Sequence, residues 1–135
     1  WTASSPAYAQ AVVPYLFSNP ERLVFIWARN RCTQRINREY NIFYWRKNLN
    51  KVKRQIKWRL EHVIMIDDSP EKLERHYGNV ITVTPFEGQP DDTELRDLLP
   101  YLSWLQTVEN VRSVEKRYWR SFQLPAEGEA GEISS

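Results

Sequence analysis

The stretch VIMIDDSPEKL, from Val63 to Leu73, decides the fold of this chain. Four apolar residues lead directly into Asp67 and Asp68, and Ser69 and Pro70 follow them. A short apolar run that ends in turn residues is typical of a buried strand, and Ser-Pro is typical of a helix start. Two adjacent carboxylates repel each other, so we expect a positive charge beside them, most simply a divalent cation. The alternative is an acidic pair at a helix start, stabilised by the helix dipole.

The patterns on both sides of this stretch predict strands that alternate with helices. Further strands are expected at 22–28 and 79–83, while 33–45 is ambiguous between loop and extended pieces. This alternation favours an α/β domain with a parallel sheet, in which ligands bind at the carboxyl ends of the strands. Asp67 and Asp68 fall at such an end. The expected helices are 4–17, 47–58, 69–77, 91–105 and 108–119.

Length and composition indicate one globular domain. The 135 residues suffice for a real core, and no apolar run is long enough to span a membrane. The single cysteine, Cys32, cannot form an internal disulfide, which disfavours a small secreted domain. We expect an intracellular location, either cytoplasmic or nuclear. The chain begins with Trp1 rather than methionine, so we expect a piece of a longer or processed protein.

The charges are distributed unevenly along the chain. Eleven Lys or Arg residues and one acidic residue, Glu39, lie between Arg29 and Arg59, whereas acidic residues dominate from Glu61 onward. The basic stretch would favour a phosphate, an acidic peptide or nucleic acid as its partner. Nucleic acid is the least favoured, because no nucleic-acid-binding motif accompanies the charge. Residues 126–135 are small and acidic, so we expect a domain at 1–122 and a disordered tail at 123–135.

Three motifs in order resemble a known family of enzymes. They are WTAS at 1–4, KNL at 47–49 and IDDSP at 66–70. Together they resemble the haloacid dehalogenase (HAD) superfamily, in its branch of FCP/SCP-like carboxy-terminal-domain phosphatases, the NLI-interacting-factor type. The segments 78–105 and 110–120 are also similar to that branch.

The resemblance implies a Rossmann-like HAD domain and a Mg²⁺-dependent phosphatase that acts on phosphoserine or phosphothreonine of proteins. Thr2 would hydrogen-bond a phosphoryl oxygen, helped by the amide of Ala3 and the following helix start. Lys47 would neutralise the phosphate. Asp68 would bind Mg²⁺ directly, and Asp67 would support it or bind through water.

The sequence departs from the family pattern at its start. The first family motif, DxDx(T/V), supplies the nucleophilic aspartate from the central strand of the sheet, and this chain does not contain it. We therefore expect that strand to come from an upstream segment, from a partner segment or from strand exchange in a dimer. Phosphoryl transfer to an aspartate cannot occur without that residue. The alternative is a catalytically inactive pseudophosphatase or phosphoprotein-binding scaffold.

Two further alternatives stay open at this point. Lys51 and Lys53 are rivals of Lys47 as the phosphate-binding lysine, because all three lie in the same basic run. Tyr44 and Trp45 lie among the basic residues and are either packing residues or part of a contact surface for a partner.

Overall fold

The computed structural model describes residues 1–124, without the side chains of Glu71, Lys72 and Glu74. The chain divides into two compact units, residues 1–48 and a second unit that begins at Leu49. The tail expected at 123–135 lies outside the described residues, except for residues 123 and 124.

The first unit begins with helix α1, Pro6–Leu16. Ser5 precedes it, and the Ser5 side chain accepts a hydrogen bond from the backbone N–H of Tyr8 at 3.2 Å. This satisfies one of the N–H groups that have no partner at a helix start, and Pro6 needs none. The helix predicted from the Ser-Pro signal is therefore confirmed. Short 3₁₀ turns follow at Pro20–Arg22 and Arg29–Arg31.

The segment that the sequence left ambiguous forms an antiparallel hairpin. Strand β1, Thr33–Asn37, pairs with strand β2, Ile42–Arg46, in a register that places Ile36 opposite Phe43. Asn41 adopts a left-handed conformation in the turn, with φ of 53°. Asparagine tolerates this conformation better than most residues, which fixes where the hairpin reverses.

The prediction of a strand at 22–28 is wrong, because these described residues include only the end of a 3₁₀ turn and irregular backbone. Isolated backbone hydrogen bonds with residues near the start of the chain hold the apolar run RLVFIWA instead. The N–H of Thr2 donates to the carbonyl of Trp27 at 2.9 Å, and the N–H of Arg29 donates to the carbonyl of Ser4 at 2.8 Å. A strand requires a continuous ladder of backbone bonds along a neighbour, and these isolated contacts do not form one.

The second unit contains a small parallel sheet of strand β3, Met65–Asp67, and strand β4, Val80–Thr82. Asn79 anchors the beginning of the sheet, because its fully buried side-chain amide donates to the carbonyls of Leu60 and Val63 at 2.6 and 2.8 Å. Both strands were expected from their apolar runs and are confirmed, although they are shorter. The expected burial of β3 is wrong, because Ile66 at its centre is 39% exposed. The mixed helix and sheet content with a parallel pair is consistent with the α/β class, whereas the Rossmann-like HAD arrangement stays a prediction.

Several predicted helices are shorter or irregular in the structure. The helix expected at 47–58 is a π-helix at Val52–Ile56, and a 3₁₀ turn follows at Leu60–His62. Residues Pro70–Asn79 form two 3₁₀ segments joined across a kink, and Ser69 provides no side-chain cap.

The prediction of a last helix at 108–119 is also wrong. Only 3₁₀ turns form there, at Val111–Ser113 and Trp119–Ser121. Lys116 lies between them, and its ammonium donates to two backbone carbonyls, of which one is in the distant residue Gly78. Tertiary contacts of this kind override the local helical pattern.

Helix α2, Glu94–Leu105, supplies much of the core. It begins after Thr93 rather than at Asp91 or Asp92. The sequence pattern predicts an apolar face of Leu95, Leu98, Leu99, Leu102 and Leu105. The structure buries Leu98 and Leu105 but leaves Leu95 and Leu99 exposed by 62% and 58%. The core cluster comprises Ile81, Leu98, Tyr101, Leu105, Val108, Val111 and Trp119.

We expect the substitution Leu98→Ala to lower the free energy of unfolding by about 3 kcal/mol, because it opens a cavity at a fully buried position. The matched control is Leu95→Ala in the same helix, which should change stability by less than about 0.5 kcal/mol because Leu95 is exposed. Urea unfolding followed by tryptophan fluorescence measures both. Equal losses in the two variants would contradict the assigned buried face.

Candidate active site

The carboxyl ends of β3 and β4 meet at one edge of the parallel sheet. Asp67 ends β3 and lies in register with Thr82, which ends β4. The N–H of Val83 donates to the carbonyl of Asp67 at 3.1 Å, which extends the pairing by one bond beyond the strands. Asp68 follows immediately. The structure therefore places the predicted acidic pair at the edge of a parallel sheet where ligands usually bind.

The two carboxylates have different surroundings. Asp67 is 9% exposed, and its Oδ1 accepts a hydrogen bond from the N–H of Ser69 at 2.8 Å. Asp68 is exposed, and its Oδ1 accepts from the hydroxyl of Ser69 at 3.0 Å. Both bonds place the positive end of a donor dipole against a carboxylate oxygen, so Ser69 offsets part of the repulsion within the pair.

The pair offers two carboxylates, which are oxygen ligands of the kind that a magnesium ion prefers. No group of three or more His, Cys, Asp or Glu side chains in the described part of the chain could hold a metal ion. Magnesium prefers oxygen ligands, keeps several waters and is usually bound through one or two carboxylates plus a substrate phosphate. Asp67 and Asp68 match that number and type of ligand, and magnesium itself stays a proposal.

Thr2 and Ala3 lie in the first unit, directly before α1. The hydroxyl oxygen of Thr2 accepts a hydrogen bond from the N–H of Ser4 at 3.1 Å, and the carbonyl of Ala3 accepts from Nε of Arg29 at 2.9 Å. A hydroxyl that accepts one bond still has its own O–H to donate. The local geometry therefore leaves Thr2 able to donate to a phosphoryl oxygen.

Lys47 follows β2 in the first unit and is only 5% exposed. Its rivals Lys51 and Lys53 are half-buried and exposed, respectively. An ammonium group that is removed from water gains most from an anionic partner, so burial favours Lys47 as the phosphate-binding lysine. The grouping of Thr2 and Lys47 with the acidic pair, which lies in the second unit, stays a prediction.

A cavity of about 530 Å³ opens beside Asp68, within the second unit. Apart from Asp68, sequence reasoning missed the residues that line it. The rule that ligands bind at strand ends could have identified Thr82. The basic residues lie in the distant segment 110–120, which resembles the family without indicating a role in the site. The polar and charged lining residues are Asp68, Tyr77, Thr82, Thr84, Glu115, Lys116, Arg117 and Arg120.

Lys116 is the most buried charged residue of this lining, with 3% exposure. Its Nζ donates to the carbonyls of Gly78 at 2.5 Å and of Val114 at 2.8 Å. Burial disfavours the charged form and lowers the pKa of Lys116 to about 8. The ammonium therefore fastens the segment after α2 to the end of the 3₁₀ segment before β4, at some cost in desolvation.

A second network fixes the loop after β4. The guanidinium of Arg120 donates to both carboxylate oxygens of Glu94, at 2.8 and 2.6 Å, and to the hydroxyl of Thr84 at 3.2 Å. The N–H of Thr84 also donates to Glu94, at 2.6 Å. The hydrogen bonds from Arg120 lower the pKa of Glu94 to about 2. The network ties the loop to the beginning of α2 and thereby shapes one side of the cavity.

Comparison with known proteins assigns the chain to a family. The sequence profile of the NLI interacting factor-like phosphatase family matches residues 1–112. The chain belongs to this family. This confirms the resemblance derived from WTAS, KNL and IDDSP.

Three of the matched proteins show the range of relatives of this chain. The chain is 32% identical over 124 residues to CTD nuclear envelope phosphatase 1 of Xenopus laevis, covering 92% of this chain and 47% of the relative. It is 32% identical over 117 residues to the human carboxy-terminal domain RNA polymerase II polypeptide A small phosphatase 1, covering 84% and 40%. It is 36% identical over 85 residues to mitochondrial import inner membrane translocase subunit TIM50 of Candida glabrata, covering 62% and 16%. The chain thus spans less than half of each of these relatives.

The relatives include nuclear envelope and mitochondrial proteins, so family membership does not select a compartment. Within residues 1–124, no helix has the length and apolar character needed to cross a membrane.

We expect Glu94→Gln to lower the free energy of unfolding at pH 7 by about 1 kcal/mol, because a partly exposed ion pair contributes little more than this. The folded-state pKa of Glu94 lies below its ordinary value of 4.5, so the charged carboxylate stabilises the protein fully above pH 4.5. That contribution is lost as the pH falls from 4.5 towards about 2. The difference between wild type and variant should shrink over the same interval.

Urea unfolding at a series of pH values measures this difference. The control is Asp91→Asn, which alters an exposed acid just before α2 and should change stability by less than about 0.5 kcal/mol. A difference for Glu94→Gln that stays constant down to pH 2 would contradict the assignment.

Proposed function

We propose that this chain forms part of a Mg²⁺-dependent protein phosphatase domain that acts on phosphoserine or phosphothreonine. The observation that carries the proposal is the Asp67–Asp68 pair at the carboxyl end of a parallel strand, in a chain of a phosphatase family. Two relatives that cover most of this chain are themselves named as phosphatases, which supports the same activity here.

Each candidate residue has a separate role in this proposal. Asp68, which is exposed, binds the metal directly, and Asp67, which is largely buried, supports it. Bound magnesium supplies positive charge that offsets the charge on the phosphoryl oxygens. The hydroxyl of Thr2 and the amide of Ala3 hold a phosphoryl oxygen, and Lys47 neutralises the remaining charge.

The nucleophile is the one part of the proposed phosphatase that these 135 residues do not supply. The chain contains no DxDx(T/V) motif, and an aspartyl phosphatase requires the aspartate which that motif provides. We propose that a segment upstream of Trp1 supplies it, or that a partner segment does so through strand exchange.

The second candidate function is phosphoprotein binding without turnover. It is favoured by the same missing motif together with the basic stretch between Arg29 and Arg59. Such a protein would use the retained residues to bind a phosphate and would not hydrolyse it.

The turnover of p-nitrophenyl phosphate, with and without Mg²⁺, separates the two functions. We expect turnover only in a chain extended upstream and only with Mg²⁺, because both the nucleophile and the metal are needed. A folded extended chain that carries the motif and shows no turnover would overturn the enzymatic proposal and favour the binding role.

Metal binding can be tested in this chain independently of activity. We expect Mg²⁺ to stabilise the wild type, by about 2.7 kcal/mol when its concentration is a hundredfold above Kd, because a ligand of the folded state stabilises it. Asp68→Ala should remove this effect, as measured by urea unfolding with and without Mg²⁺.

The matched control for this test is Asp91→Ala, which removes an exposed carboxylate far along the chain and should leave the Mg²⁺ effect unchanged. Equal stabilisation of the wild type and Asp68→Ala by Mg²⁺ would show that the ion binds at a site other than Asp68.

A further inference from the structure

The cavity beside Asp68 has no role in the proposed hydrolysis, although it is large enough to bind part of a ligand. Its volume of about 530 Å³ lies within the range of pockets that hold small ligands, and it exceeds what one side chain needs. Asp68 forms part of its wall, so a phosphate bound near Asp68 would lie next to it. The apolar lining residues are Pro70, Leu73, Val80, Val83 and Pro85.

Lys116 gives this apolar cavity an anion-binding group. An ammonium has three N–H donors, and those of Lys116 have two acceptors, the carbonyls of Gly78 and Val114. Within the described residues the third donor has no acceptor. An anion that entered the cavity could accept this bond and offset the cost of burying the charge, which is the cost that lowers the pKa of Lys116.

Arg117 supplies a second cation in the lining. Its guanidinium lies 5.0 Å from the ring centre of Tyr118, and its side chain makes no ion pair within the part of the chain that the structure describes. The other charged groups of the lining are already engaged. Arg120 is held by Glu94, and the Glu115 carboxylate accepts bonds from the hydroxyl of Tyr77 at 2.7 Å and the N–H of Arg117 at 3.0 Å.

We propose that this cavity is a subsite for the residues next to the phosphorylated residue, and that it takes an apolar side chain beside a carboxylate-bearing one. The apolar walls would remove the first side chain from water, and Lys116 and Arg117 would bind the second. The inference rests on the proposed function, because it assumes that a phosphopeptide binds with its phosphate near Asp68. It names the substrate class as phosphoproteins with apolar and acidic residues beside the phosphorylated residue.

Binding of defined peptides to this chain tests the subsite. The probes are fluorescein-labelled phosphoserine peptides that carry either Leu-Glu or Ser-Lys next to the phosphoserine, on its amino side or its carboxyl side in separate peptides. Each has an unphosphorylated counterpart. Fluorescence anisotropy in the presence of Mg²⁺ gives the Kd of every peptide.

Three variants accompany the wild type. Thr82→Trp fills the cavity from an exposed strand end, and Arg117→Met removes an exposed cation while keeping a similar stem. Arg96→Met is the control, because Arg96 is exposed on α2 and does not line the cavity. Lys116→Met is less suitable, since it leaves two carbonyls without their donor and threatens folding.

We expect the wild type to bind the Leu-Glu phosphopeptide about tenfold more tightly than the Ser-Lys one, on one side of the phosphoserine. Arg117→Met should reduce this preference about threefold, and Thr82→Trp should abolish it, whereas Arg96→Met should retain it. Equal affinity for the two sequences on both sides, or a preference that persists in Thr82→Trp, would overturn the subsite.

The unphosphorylated peptides separate failure of the subsite from failure of the proposed function. Phosphate-dependent binding without any sequence preference contradicts the subsite and keeps the function. The wild type could instead show a sequence preference that Thr82→Trp abolishes but that does not depend on phosphate. This result would support the cavity as a peptide-binding site and contradict the proposed phosphatase function. Absence of binding by every peptide contradicts both.

Discussion

The parallel pairing of β3 with β4 is the constraint on which the candidate site depends. The buried amide of Asn79 links the start of β4 to the segment before β3, and the register then places Asp67 opposite Thr82. A shift by one residue would turn Asp67 to the other face of the sheet and move the carboxylate away from the strand end. The buried amide of Asn79 therefore fixes the position of the Asp67 carboxylate, which lies beyond the Leu60–Val63 segment that the amide holds.

The same edge of the sheet combines two kinds of electrostatic environment. The acidic pair is stabilised locally, through the N–H and the hydroxyl of Ser69, and is the proposed site of a cation. Lys116, by contrast, is stabilised through the nearby carbonyl of Val114 and the carbonyl of Gly78, which is distant in sequence, and its buried ammonium favours an anion. A phosphorylated ligand with acidic neighbours would satisfy the second group directly and the first through a metal ion, which gives the cavity and the acidic pair one consistent ligand class.

Local signals predicted the elements that depend on local chemistry. The Ser-Pro start of α1 and the apolar runs of β3 and β4 were identified correctly, because caps and short apolar runs are encoded within a few residues. The pattern failed where a distant partner decides the conformation. The run at 22–28 has no continuous neighbour and forms no strand, and the segment around Lys116 bonds to Gly78 and forms no regular helix. The spacing of Leu95 and Leu99 on α2 fits the apolar period. The core covers only one side of this helix, however, and leaves both side chains exposed.

The sequence by itself determined the family, through the order of WTAS, KNL and IDDSP, and the position of the acidic pair after an apolar strand. Motifs of this kind are readable because their residues are adjacent in the chain. Only the tertiary structure brought Thr82, Lys116 and Arg117 to one cavity beside Asp68. Helix α2 separates Thr82 from Lys116 and Arg117 along the chain, and neither periodicity nor spacing reports which distant side chains the packing of α2 and the parallel pair will bring together.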